Sequence, residues 1–167
     1  MFASYLVFGL LVSILDLGNT EPFKFYCNLV MSMVPSIHPT ALVSSNVSGT
    51  CLVLSVAWPL GLLMSCLWLY WALPLQVQQT SPMRDNRSKY LLLSLVTIIF
   101  FGSIVVWFFS VPFDLEGVGR GARTIRWALT NGAFTTALII GLMIISTIWL
   151  TAVGLLLGIK ALFSDKT

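Results

Sequence analysis

From Ala133 to Ile159 the chain carries no ionisable side chain until Lys160, after an Asn131-Gly132 break. At about 1.5 Å of rise per residue such a run, if helical, is longer than the roughly 30 Å of hydrocarbon in a bilayer. A soluble domain has no place for it, so it is expected to span a membrane. The remainder of the chain agrees: 57% of the 167 residues are hydrophobic and only 9% are charged, with the charges grouped between apolar runs. That grouping suits lipid, where each lone charge costs several kcal/mol unless it finds a partner.

Further spans are expected at about 2-17, 51-73 and 90-111, which with 133-159 makes an all-α, polytopic membrane protein of one domain over 1-167. The four transmembrane helices would form an antiparallel bundle. The first run starts at Phe2 with no Lys or Arg ahead of it, so a cleaved signal is not expected. Gly9 and Ser13 offer one small-residue face for close helix approach, and Ala57, Gly61 and Ser65 offer another. Pro59 removes one backbone hydrogen bond inside the second span, and a neighbour has to satisfy the freed carbonyl. Trp68, Tyr70 and Trp71 gather as an aromatic belt would.

Between the first two spans, Pro22 to Val34 reads as a short helix. Lys24, Asn28 and Ser32 recur on one side, and Phe23, Phe25, Tyr26, Leu29, Val30 and Met33 fill the other. It suits either a helix lying in the interface of the first outer loop or a cap over the bundle. Asn46-Val47-Ser48 matches a glycosylation sequon, a triplet that also arises by chance. Lys and Arg fall slightly more often on the side of the termini, which favours both termini in the cytoplasm.

No span holds a central Asp, Glu, Lys, Arg or His, so catalysis, proton relay and ion coupling lack an obvious residue. The three cysteines and the lone His38 have no metal spacing; Cys27 and Cys51 would both lie on the outer side, and whether they pair stays open. The expectation is no enzyme, cofactor, metal or nucleic acid, and a protein that works by binding in the membrane. Self-association remains compatible with the packing faces. Two places are candidates for recognition. One is the loop ahead of the fourth span, with Asp114, Glu116, Arg120, Arg123 and Arg126, whose plainer reading is arginines reaching for lipid phosphates. The other is the stripe Thr147, Thr151, Gly154 and Gly158, whose plainer reading is packing within the bundle.

Phe113-Asp114-Leu115, Gly119-Arg120 with Arg123, Thr130-Asn131 with Ala133, Ile140-Gly141-Leu142 and the late Lys160 follow in an order that resembles the immunity proteins of pore-forming colicins, the colicin A type. Val34-Pro35-Ser36-Ile37 extends the resemblance over about 34-163. The chain departs from that pattern in a shorter N terminus and a longer spacing between Arg123 and Asn131. The resemblance implies a bacterial inner-membrane protein with four spans and cytoplasmic termini. It also implies binding to the channel domain of a pore-forming bacteriocin, including its hydrophobic hairpin, so that the channel stays shut. Asp114, Arg120, Arg123 and Asn131 are the residues it points to. The alternatives are an accessory subunit of a larger membrane complex, or a transporter or channel module.

Overall fold

The structure, a computed structural model, describes residues 2–76, 86–111 and 120–163, and those residues are helical with short turns and no strand among them. In chain order the helices are α1 (Phe2–Leu15), α2 (Glu21–Met33), α3 (Ile37–Leu42), α4 (Val47–Gln76), α5 (Arg87–Ser110), α6 (Arg120–Thr130) and a composite α7. α7 comprises Ala133–Thr136, a π-helical turn at Ala137–Gly141 and Leu142–Phe163. Three stretches are long and apolar enough to cross a bilayer: Val47–Ala72, Arg87–Ser110 and Ala133–Leu162. α1 is apolar but has only 14 residues, about 21 Å at helical rise, which is less than a bilayer core. It stops two residues before the expected end because Asp16 adopts φ 49°, ψ 39°, and a single 3-10 turn, Leu17–Asn19, follows.

The chain divides into two compact units, one of residues 1–59 and 106–145 and the other of 60–105 and 146–167.

In the first unit, α1 runs antiparallel to the start of α7, since Gly9 meets Ala137 and Tyr5 meets Gly141. A Cβ on Gly9 would lie 2.6 Å from that of Ala137, and one on Gly141 would enter the Tyr5 ring. Tyr5 is 2% exposed, and its hydroxyl donates to the Val53 carbonyl of α4 at 3.1 Å. The α1 glycine expected to permit close helix contact therefore does so; the other small residue expected on that face, Ser13, is exposed. The 3-10 turn after α1 meets the start of α4 at Gly18, where a Cβ would run into the Ser48 carbonyl carbon and lie 2.7 Å from the Gly49 nitrogen.

α4 begins at Val47, four residues before the expected Cys51, because Asn46 caps it. The Asn46 side-chain oxygen accepts from the Gly49 amide at 2.8 Å, satisfying one of the donors that a helix start leaves free. The sequon asparagine is thus a helix cap. α2 has Thr20 at its N-cap and Pro22 in its first turn, within one residue of the expected helix. α3 carries Pro39 in its first turn, where a missing amide hydrogen costs nothing.

In the second unit, α5 and α7 meet through small residues. A Cβ on Gly154 would lie 2.9 Å from the Thr97 Cγ2, and the Ser94 hydroxyl donates to the Gly154 carbonyl at 2.8 Å. Trp68 of α4 and Trp149 of α7 stack edge to face, 5.8 Å apart. Tyr70 and Trp71 of the expected belt are 75% and 66% exposed.

Candidate functional site

α6 is the described part of the charged loop, and its sequence divides it in two. Ala122, Ile125, Ala128 and Leu129 fall on one side by helical spacing, and Ala128 and Leu129 are fully buried. Arg120, Arg123, Arg126 and Trp127 share the opposite side and are all exposed. The three guanidinium groups therefore form a basic stripe along one short helix. Asp114 and Glu116, with which the stripe was read, lie outside the described residues.

Helix α6 ends with unusually complete capping. The Leu129 carbonyl accepts from the Ser45 amide at 3.1 Å and from the Ser44 hydroxyl at 3.0 Å. The Ala128 carbonyl accepts from Thr135 at 2.7 Å and Thr136 at 3.2 Å, and the Trp127 carbonyl accepts from the Asn131 side chain at 2.7 Å. Gly132 follows with φ 101°, a conformation that L side chains rarely adopt, and lets α7 start at once. Asn131 is exposed, and its amide serves its own helix. These bonds fix the base of the arginine helix on the turn between α3 and α4 and on α7, so the stripe is presented on a held element.

The second candidate set lies in the other unit. Thr147 is 9% exposed, and its carbonyl accepts from the Thr151 hydroxyl at 2.9 Å. Gly154 and Gly158 face Thr97 and Ser94 of α5. The GxxxG face is occupied by this chain's own helix. The structure therefore brings the arginines and Asn131 together, and separately gathers Thr147, Thr151, Gly154 and Gly158.

A third feature had no local signature. Asp16, Lys24, Cys27, His38, Asn46 and Cys51 help to line an open cavity of about 660 Å³ within the first unit. Its walls come from the turn after α1, from α2, from α3 and from the start of α4, so no single motif announces it. Among the described residues no group of three or more His, Cys, Asp or Glu is placed to hold a metal ion.

Beside the cavity, α2 is fastened to α4 at a revealing atom. Pro59 has no amide hydrogen to give the carbonyl four residues earlier, that of Ser55. The Tyr26 hydroxyl donates to that carbonyl at 3.0 Å. Burial raises the Tyr26 phenol above its ordinary range, with the neighbouring Cys27 adding to the effect, so it remains a donor at any ordinary pH. The next residue, Cys27, is 5% exposed and lines the cavity together with Cys51. Its interaction with Cys51, and then burial, push the Cys27 thiol well up.

No protein-family profile, curated protein or solved structure matches the chain.

Proposed function

We propose that this chain is a four-span immunity protein of the bacterial inner membrane, with both termini cytoplasmic, that binds the membrane-inserted domain of a pore-forming bacteriocin and keeps it from opening. The observation that carries the reading is the residue order from Phe113 to Leu142, with its resemblance to colicin immunity proteins. In this reading α1 is the first span, joined to α4, α5 and α7 in one antiparallel bundle, and α2 lies in the outer interface. Thinning of the bilayer around α1 offsets its short length at a modest cost.

The proposed partner surface is the exposed stripe of Arg120, Arg123 and Arg126 with Asp114 and Asn131. Thr147, Thr151, Gly154 and Gly158 then serve assembly of the bundle, since α5 covers the two glycines. Physics permits inhibition by binding alone. Opening of a voltage-driven channel gains about 2.3 kcal/mol per charge moved through 100 mV, and a partner that prefers the closed state by more than the total holds it closed.

The test is potassium efflux from cells expressing the chain and challenged with pore-formers of the colicin A type. Retained potassium against one toxin and normal killing by toxins of another mode of action are expected. Efflux as fast as in unprotected cells, with the protein present at normal levels in the membrane, against every such pore-former would sink the reading.

A second reading, an accessory subunit of a larger complex, has one observation in its favour. Only 11% of the apolar window of α5 is buried, against 44% in the other two long helices, leaving a wide face for either lipid or a permanent partner. It requires a stoichiometric companion in mild detergent with no toxin present.

A further inference from the structure

We propose that Cys27 and Cys51 are a dithiol pair that closes into one intramolecular disulfide, covalently fastening α2 to the first turns of α4. Three observations meet at this point. Both cysteines are 5% exposed and both line the same cavity, which gives a reagent a way in. Cys27 and Cys51 are near enough to act on each other's acidity, and the Cys51 sulfur is 4.0 Å from the Ser55 hydroxyl one turn along. The adjacent Tyr26 is bonded to the Ser55 carbonyl, so two consecutive residues of α2 are held against a single turn of α4. The third cysteine, Cys66, is exposed and belongs to the other compact unit.

The chemistry is thiol–disulfide exchange. One cysteine sulfur attacks an exchangeable disulfide and expels a thiol, and the second cysteine then displaces the other half. Two S–H bonds break and one S–S bond forms within the protein, while the oxidant takes up two electrons and two protons and leaves as two thiols. The pairing itself does not depend on the proposed function. Its occurrence in cells does rest on that reading, which places the first loop on the outer, oxidising side.

The test uses the whole chain in detergent, treated with oxidised glutathione in alkaline buffer, then unfolded and reacted with a maleimide-polymer that shifts the gel band once per free thiol. Untreated reduced protein should take up three labels, matching its three cysteines. Oxidised protein should take up one, run as a monomer, weigh less by two hydrogen atoms and regain three labels on reduction. C66S should lose all labelling on oxidation, whereas C27S and C51S should each keep two labels throughout. Three free thiols after oxidation, separate glutathione adducts on the two cysteines, or bonds to Cys66 or between chains would each overturn the pairing.

The same count on membranes from acid-quenched cells separates the two claims. A pair that closes in detergent but stays reduced in cells refutes the outer placement of the loop and leaves the pairing intact. A pair that is closed in cells expressing an unprotective protein refutes the immunity reading alone.

Discussion

Pro59 and Tyr26 illustrate how a residue-level defect is repaired from a distance. The proline leaves the Ser55 carbonyl without its helical donor, and the Tyr26 hydroxyl supplies one. Y26F should therefore destabilise the fold by about 1–3 kcal/mol, the usual cost of an unpaired buried acceptor, measured as a lower unfolding midpoint in detergent. N46A should cost about 1 kcal/mol through loss of the α4 cap, with no change in any carbohydrate content. Burial holds the Tyr26 phenol above its ordinary value near 10. A raised acid keeps its proton longer in the folded state, so its stabilisation is complete below that value and is lost as pH climbs through the folded one. The unfolding midpoint should therefore fall above about pH 10, less steeply in Y26F. From the chain alone the freed carbonyl was legible, because a proline inside a span always leaves one. Its donor was not, because Tyr26 reaches it only through the docking of a separate helix.

At the level of elements, α6 separates what holds the fold from what is left exposed. Leu129 is fully buried, so L129A should cost about 2–5 kcal/mol. R120Q, R123Q and R126Q together should change stability by less than about 0.5 kcal/mol. Under the proposed function the triple variant should nevertheless lose protection at unchanged protein levels, whereas normal protection would move recognition to the spans. Gly141 is the opposite kind of position, where G141A would force Tyr5 away from the π turn, loosening α1 and lowering the unfolding midpoint. The long elements were legible because apolar length is a strong signal, and the start of α7 at Ala133 follows directly from the Asn131-Gly132 break. The start of α4 was set four residues late because Asn46 and Gly49 look like loop residues until their hydrogen bond is known. The short α3 was missed because a proline and a histidine gave no apolar period. The basic side of α6 was visible in the arginine spacing, but the cavity was not, since its lining is drawn from separate segments.

For the molecule as a whole, the sequence led to four spans, and three helices have the length and apolarity to cross a bilayer. The proposed topology adds α1 to these three. Reporter fusions should place both ends in the cytoplasm and the loop after α1 outside, and an N terminus on the outer side would reduce the spans to three. The pairing of Pro59 with Tyr26 carries a consequence for inheritance. A descendant that replaced the proline would restore the amide hydrogen at position 59, and the phenol at 26 would lose its task. Substitutions at these two sites should therefore appear in a preferred order, proline first and tyrosine second, because the reverse path passes through a chain whose first long helix has an unanswered oxygen facing a neighbour that has nothing to give it.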